Sequence, residues 1–421
     1  MRVLILGSGG REHAFAWKIA QSPRCDALFI APGNAGTATV GTNVSLSPTD
    51  FEAIHQFVDA EKIDMMVVGP EQPLAEGIVD YFSQHPVKVI GPNKQAAQLE
   101  ASKAFAKAFM QKHGVPTAGS ASFEAGQLEE ALEYVESHSL PVVIKASGLA
   151  AGKGVLICES HEEAIEATRS MLSGSAFGDS GKTIVVEEFL KGVEFSLFVL
   201  TDGDSYKIFP TAMDYKRIGE QDTGLNTGGM GAVAPFPVSA YLNPSHIAHI
   251  TERTLAGLKA EGIVYKGIIF IGLMVTGKDS PYVLEYNVRM GDPETQVVLP
   301  LIENDLLDLF EGVANDTLAE CEEVRIKDSA CSTVILVSGG YPVKYEKGKR
   351  ITGIEAVEGS IVFHAGTKRV GEDILTNGGR VIAITSFGES LVSAAQQSLK
   401  NAEKIAFEGK YYRTDIGARF Q

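Results

Sequence analysis

Four short, largely apolar segments in the first hundred residues constrain the fold most: Val3–Leu6, Ala27–Ile30, Met65–Val68 and Val87–Ile90, with Lys88 the one charged residue among them. Each stops at a loop bearing Gly or Pro: Gly7-Ser8-Gly9-Gly10, Pro32-Gly33-Asn34, Gly69-Pro70-Glu71 and Gly91-Pro92-Asn93. Runs without polar alternation are strands buried on both faces, and helix-like stretches separate them. That pattern predicts an open parallel α/β sheet. Ligands of such sheets lie beyond the carboxyl ends of the strands, where these loops would gather.

The chain of 421 residues exceeds one core, so about three or four domains are expected. A net charge of −16 argues against a nucleic-acid partner, though a pocket can be locally positive within an acidic protein. Cys25, Cys158, Cys321 and Cys331 are scattered, with no zinc spacing, which fits reduced thiols. Met1-Arg2 leads straight into a strand, so no signal peptide is expected, and no apolar run reaches the roughly 18 residues of a membrane span. The expectation is a cytoplasmic monomer with no membrane partner.

The first glycine loop is not a dinucleotide fingerprint. Gly7 and Gly9 fit GxGxxG, but Glu12 takes the third glycine's place, and no acidic residue ends the second strand. Two readings remain: a phosphate site, with free amides at the helix start and Arg11 as cation, or a tight strand–helix turn.

Further along, Pro141–Ala146 reads as a strand that carries Lys145. A small-residue tip with Gly148, Gly152, Lys153 and Gly154 follows, and then a strand over Val155–Cys158. Backbone amides at such a tip approach phosphate oxygens closely, and the two lysines add point charges. It is not a Walker loop, because Gly154 follows Lys153. A strand over Thr183–Val186 leads to Glu187, Glu188, Phe189 and Leu190, with Glu194 beyond. Exposed backbone there could pair with adenine and a carboxylate could hold a ribose; surface charge is the plainer reading of Glu187 and Glu188. Next, Asp214, Lys216 and Arg217 precede a loop of special backbone geometry, Asn226-Thr227-Gly228-Gly229-Met230-Gly231.

In Val283–Gln296, an apolar start is followed at alternate positions by Glu285, Asn287 and Arg289. Alternate residues of a strand share a face. Two oxygen ligands and a cation on one face suit a divalent metal plus a transferring phosphoryl group. A polar edge strand is the alternative. Gly291-Asp292-Pro293-Glu294 follows at once.

Taken together, these motifs resemble the ATP-grasp ligases, and among them the phosphoribosylamine–glycine ligases. The resemblance covers essentially the whole chain. It runs through Gly7–Ala14, Ala31–Asn34, Val68–Glu71, Ser102–Phe105, Gly148–Gly154, Asn226–Gly231 and Gly291–Gln296, then Ser338–Pro342, Phe363–Thr367 and Asp415–Gly417. It implies an α/β (α+β multidomain) architecture: an N-terminal open parallel α/β domain over 1–100, an ATP-grasp body over 101–328 with a small lid near 120–188, and a C-terminal mixed β domain over 329–421. The implied reaction joins glycine to 5-phosphoribosylamine and converts ATP to ADP and phosphate.

The residue roles also come from the resemblance. Lys103, Lys145 and the 148–154 loop, with Gly148, Gly152, Lys153 and Gly154, match the nucleotide-phosphate binders. Glu187, Glu188 and Leu190 match the adenine hinge, and Glu194 the ribose carboxylate. Glu285 and Asn287 match the ligands of Mg²⁺ or Mn²⁺. Gly9, Gly10, Arg11, Glu12, Asn34, Pro70 and Glu71 line the side implied for phosphoribosylamine. Asp214, Thr227, Gly228, Gly229, Met230, Arg289 and Asp292 fall where glycine and an acyl phosphate are implied, with Arg289, Asp214 and Asp292 as catalytic groups, and Lys216 and Arg217 count among the substrate-binding residues. Ser147, Leu225, Val288 and Met290 depart from the residues usual in the family. Two rivals are an ATP-dependent carboxylase acting on bicarbonate and a non-catalytic nucleotide sensor. The first is disfavoured by the Gly7–Ala14 and Asn226–Gly231 motifs, the second by the Glu285/Asn287/Arg289 set.

Overall fold

A computed structural model describes residues 1–150 and 154–421. The four apolar runs form a parallel sheet with one short added strand, in the order Thr42–Asn43, Ala27–Pro32, Arg2–Gly7, Met65–Val68, Lys88–Ile90. Leu4, Leu6, Met66 and Val68 pack into one apolar core, while Val3, Ile5, Met65 and Val67 pack into another. Burial on both faces is why these strands show no polar alternation. The strand order reverses at Arg2–Gly7, so a crevice opens between its loop and that of Met65–Val68.

An antiparallel sheet follows in the order Tyr206–Ile208, Val193–Thr201, Gly267–Val275, Pro281–Asn287. A second antiparallel sheet has the order Ser120–Glu124, Thr183–Glu188, Val142–Ala146, Val155–Cys158. Its Val142, Ile144, Ala146, Ile184 and Val186 pack on helices Leu128–Ser137 and His161–Leu172. Strand alternation therefore turns Lys145 and Glu187 to the other face.

The last large sheet joins distant parts of the chain. Met213–Asp214 and Gly231–Ala234 lie beside Ala330–Val337, Arg380–Gly388 and Ile361–His364. The segment with Asp214 is thus hydrogen-bonded into a sheet completed more than a hundred residues later.

Candidate active site

The helix Lys103–Lys112 starts at Ser102, whose hydroxyl accepts the amide of Phe105 at 3.2 Å. Its first residue donates its amide to the Ser147 carbonyl at 2.9 Å, and the Ser147 hydroxyl accepts the amide of Ala104 at 3.1 Å. The departure at Ser147 thus serves as a second cap. These bonds place Lys103 at the foot of the glycine tip, its ammonium 3.4 Å from the Gly148 carbonyl. Burial lowers the Lys103 pKa, against the pull of Glu285.

Lys145 pairs with Glu187 at 2.9 Å, and Lys107 reaches the other oxygen of the same carboxylate at 3.2 Å. Glu187 is buried inside its strand, so the surface-charge reading fails for it; Glu188 is exposed and accepts the amide of Gly119 at 3.0 Å. Leu190 is half-buried. Gly148 donates to the Ser180 carbonyl at 3.0 Å, and the space where a Cβ at Gly154 would sit is taken by Ala150. Gly152 and Lys153 lie outside the described residues.

Glu285 and Asn287 sit half-buried on the same side of their strand, with buried Tyr286 between them pointing the other way. The register slips between Gly272 and Leu273, and Leu284 takes up the slip. Arg289 does not extend this row, because the strand ends at Asn287. Its guanidinium instead reaches Glu100 at 2.7 Å, Glu71 at 3.3 Å and the Met290 carbonyl at 3.1 Å. Burial pushes the Glu100 carboxyl up, only partly offset by Arg289. Burial acts likewise on Glu71, but Arg289 and Arg11 outweigh it and hold Glu71 below the usual carboxylate range. Pro70 caps the short helix that Glu71 begins.

The first glycine loop also differs from expectation. Glu12 turns back to accept the amide of Gly9 at 2.6 Å, and Asp292 accepts the amide of Arg11 at 3.3 Å. Two of the amides expected to meet a phosphate already have carboxylate partners. Arg11 is buried, bonded to Glu12 at 2.6 Å and to the Met290 carbonyl at 3.1 Å, so it is not a free cation. Burial disfavours its charge, but Glu12, Asp292 and Glu71 together raise its pKa. Asn34 is saturated as well. It donates to the Ser8 and His364 carbonyls, both at 2.8 Å, and accepts from Gly36 and Thr37 at 2.8 and 3.0 Å. Gly10 leaves room for Gln296. His13 accepts the amide of His364 at 2.8 Å, and burial lowers its pKa to about 3, so it is a neutral packing residue.

Lys216 bridges Asp214, at 2.8 and 2.9 Å, and Glu194, at 3.2 Å. Burial opposes its charge, but Asp214, Glu194 and Glu294 raise its pKa well above the usual lysine value. Burial with the nearby Asp214 pushes buried Glu294 up to about 7. Thr227 ties the glycine loop down, donating its hydroxyl to the Lys216 carbonyl and accepting the amide of Gly229, both at 2.9 Å. Gly229 has φ +114°, and a side chain there would collide with Pro293. Met230 is buried, Gly228 donates to the Tyr341 hydroxyl at 2.9 Å, and Arg217 spends a donor on the Gly224 carbonyl at 2.8 Å.

Arg380, from the final sheet, joins the loops. It donates to the Gly228 carbonyl and, at 2.8 Å, to that of Asp292, and pairs with the Asp292 carboxylate at 3.3 Å. A cavity of about 340 Å³ lies beside it, lined by Ser8, Gly9, Asn34, Asp292 and Asn377 among others. Lys107, Glu100, Glu294 and Arg380 escaped sequence reading. Only Lys107 left a signal there, four residues after Lys103 and so on the same helix face.

Three sheets thus gather lysines and carboxylates into one charged cluster, with no Ser/His/Asp set among the described residues. Fold and site define an ATP-grasp enzyme, a carbon–nitrogen ligase that binds ATP and acts on small molecules. Family models for the N domain, the ATP-grasp (A) domain and the C domain of phosphoribosylglycinamide synthetase match residues 1–100, 101–295 and 331–419. The chain belongs to the phosphoribosylglycinamide synthetase family. It is 47% identical to the phosphoribosylamine–glycine ligase of Chlorobaculum tepidum, over 100% of both chains. It is 46% identical to the trifunctional purine biosynthetic protein adenosine-3 of Gallus gallus, over 99% of this chain and 42% of that one. A crystal structure of the phosphoribosylamine–glycine ligase of Thermotoga maritima superposes with a TM-score of 0.88 at 38% identity, covering 99% of this chain and 100% of that one.

Proposed function

We propose that the protein joins glycine to 5-phosphoribosylamine, with ATP giving ADP and phosphate, in purine biosynthesis, and that it does so through glycyl phosphate. The observation that carries this reading is that side chains from all three matched segments meet: Lys103, Lys145, Glu285, Asp214 and Arg289 come from the second, Glu71 of the first pairs with Arg289, and Arg380 of the third pairs with Asp292. A carboxylate is a poor acyl donor. In the first step a glycine carboxylate oxygen attacks the terminal phosphorus of ATP, and the bond to the ADP oxygen breaks. In the second, the amine of phosphoribosylamine attacks the acyl carbon, loses a proton, and expels phosphate.

Lys103 and Lys145 hold the nucleotide phosphates, the strand end at Glu187 to Leu190 meets the base, and Glu194 the ribose. Arg289, fixed in place by Glu71 and Glu100, faces the charge that develops on the transferring group. Asp214 and Asp292 line the glycine and acyl-phosphate side with the 227–230 loop, and the cavity beside Gly9 and Asp292 accepts the sugar. Arg11, Glu12 and Asn34 shape that cavity through internal bonds. Glu285 and Asn287 suit a hard divalent cation: among the described residues the Glu285 carboxylate and the Asn287 amide oxygen accept no hydrogen bond. When bound there, Mg²⁺ neutralises phosphate charge. Domain limits at 1–100, 101–328 and 329–421, with a lid near 120–188, belong to the same reading. So does a cytoplasmic monomer; no helix among the described residues is long and apolar enough to cross a membrane.

The path of oxygen tests the mechanism. Glycine labelled with ¹⁸O in its carboxylate is expected to pass one label to the released phosphate. Unlabelled phosphate during verified amide synthesis refutes the acyl phosphate, and phosphate release that needs bicarbonate but not glycine refutes the ligase reading.

A further inference from the structure

Residues 213–231 carry the Asp214–Lys216 pair into a hairpin, Arg217–Gly219 with Thr223–Asn226, and on into the 227–230 loop. At the hairpin tip Gln221 and Asp222 both have left-handed backbone, with φ of 54° and 55°. Residues with side chains seldom adopt that region, and two in succession persist only where surroundings over-determine them.

Those surroundings are the last residues of the chain. Arg413 has a side chain 1% exposed. It donates to the Arg217 carbonyl at 3.1 Å, to Asp222 at 2.9 Å, and to the two oxygens of Asp415 at 2.8 and 2.7 Å. Asp415 in turn accepts the amide of Gln221 at 2.8 Å, and Arg419 pairs with Asp222. The Arg413 guanidinium also lies 5.1 Å from the ring centroid of Tyr215, whose hydroxyl accepts the amide of Gly417 at 2.9 Å. Tyr215 stands between Asp214 and Lys216, and its carbonyl accepts the amide of Met230 at 2.7 Å.

We propose that Arg413 is a positioning residue: through it the C-terminal tail sets the hairpin, and with it the Asp214–Lys216 pair and Thr227, for the carboxylate substrate. The proposal rests on the reading of that pair and loop as the glycine side. Arg413 itself touches no substrate: four of its five donors end on protein, and its side chain is 1% exposed.

A stability clamp alone would weaken every function together, so the test separates glycine from ATP. In Arg413→Ala, with folding checked by thermal melting, the glycine KM is expected to rise on the order of tenfold, while ATP affinity by titration calorimetry stays within about twofold. Arg413→Lys, which keeps the charge but loses the fork, is expected to fall between. An unchanged glycine KM in folded Arg413→Ala overturns the proposal, as does a parallel loss of glycine and ATP binding. Should that variant not fold, Asp222→Ala removes the hairpin carboxylate that Arg413 and Arg419 share, and is judged by the same two outcomes. Asp214→Asn is the control. If it raises the glycine KM and Arg413→Ala does not, positioning fails while the functional reading stands. If neither does, the glycine-side reading itself fails.

Discussion

Replacing Lys107 by Met is expected to stabilise the protein and weaken ATP binding. The lysine is buried, 3.2 Å from a carboxylate oxygen of Glu187, and donates to the Thr117 hydroxyl at 2.7 Å. Burial lowers its pKa from 10.5 to about 8; Glu187 opposes this shift and Lys145 adds to it. At about 1.4 kcal/mol per pH unit, the fold bears a cost of about 3 kcal/mol for the charge at neutral pH. Methionine fills similar volume without charge, and the lost bond to Thr117 takes back about 1 kcal/mol. Glu187 keeps Lys145 as its counter-charge at 2.9 Å and is not left unpaired, so the net expectation is a modest gain in stability at pH 7.

The sign follows from the direction of the shift. Because the folded pKa lies below the unfolded one, between about 8 and 10.5 the unfolded chain holds this proton more readily. Stability of the parent from this group therefore rises with pH across that window and is lowest below it. The variant lacks the group, so its advantage is largest below pH 8 and disappears towards 10.5. Urea unfolding of both proteins at neutral and alkaline pH measures the gap. In the variant Glu187 answers to Lys145 alone and draws it from the nucleotide phosphates, so ATP affinity should fall on the order of tenfold, about 1.4 kcal/mol. A variant less stable than its parent at pH 7, or a gap that does not change with pH, refutes the reasoning.

Two more outcomes are expected. Glu285→Gln should lower kcat on the order of a thousandfold at saturating Mg²⁺; near-normal turnover would remove Glu285 from the metal site. Gly69→Ala should lose about 2–3 kcal/mol, because its methyl group would overlap Glu12, which is held by Gly9 and Arg11. An unchanged melting temperature would show that Glu12 is free to move.

The sequence by itself determined what local periodicity encodes. The apolar runs Val3–Leu6 and Met65–Val68 specify strands buried on both faces, flanked by less buried ones at Ala27–Ile30 and Val87–Ile90. Lys145 and Glu187 share a face only through the pairing of their two strands, whereas alternation along Pro281–Asn287 specifies that Glu285 and Asn287 share one. Such patterns follow from the geometry of a single element, and a few neighbouring residues contain them. Periodicity does not say which distant surface covers a face, nor which opposite charge a buried side chain meets. Only the tertiary structure turned Arg11 and Asn34 inward, and paired Arg289 with Glu100 and Glu71 rather than leaving it in the Glu285 row. It likewise brought Arg380 and Arg413 from the end of the chain onto loops 88 and 191 residues away in sequence. A buried charge takes whichever partner the packed elements bring within reach, and that is decided by long-range packing.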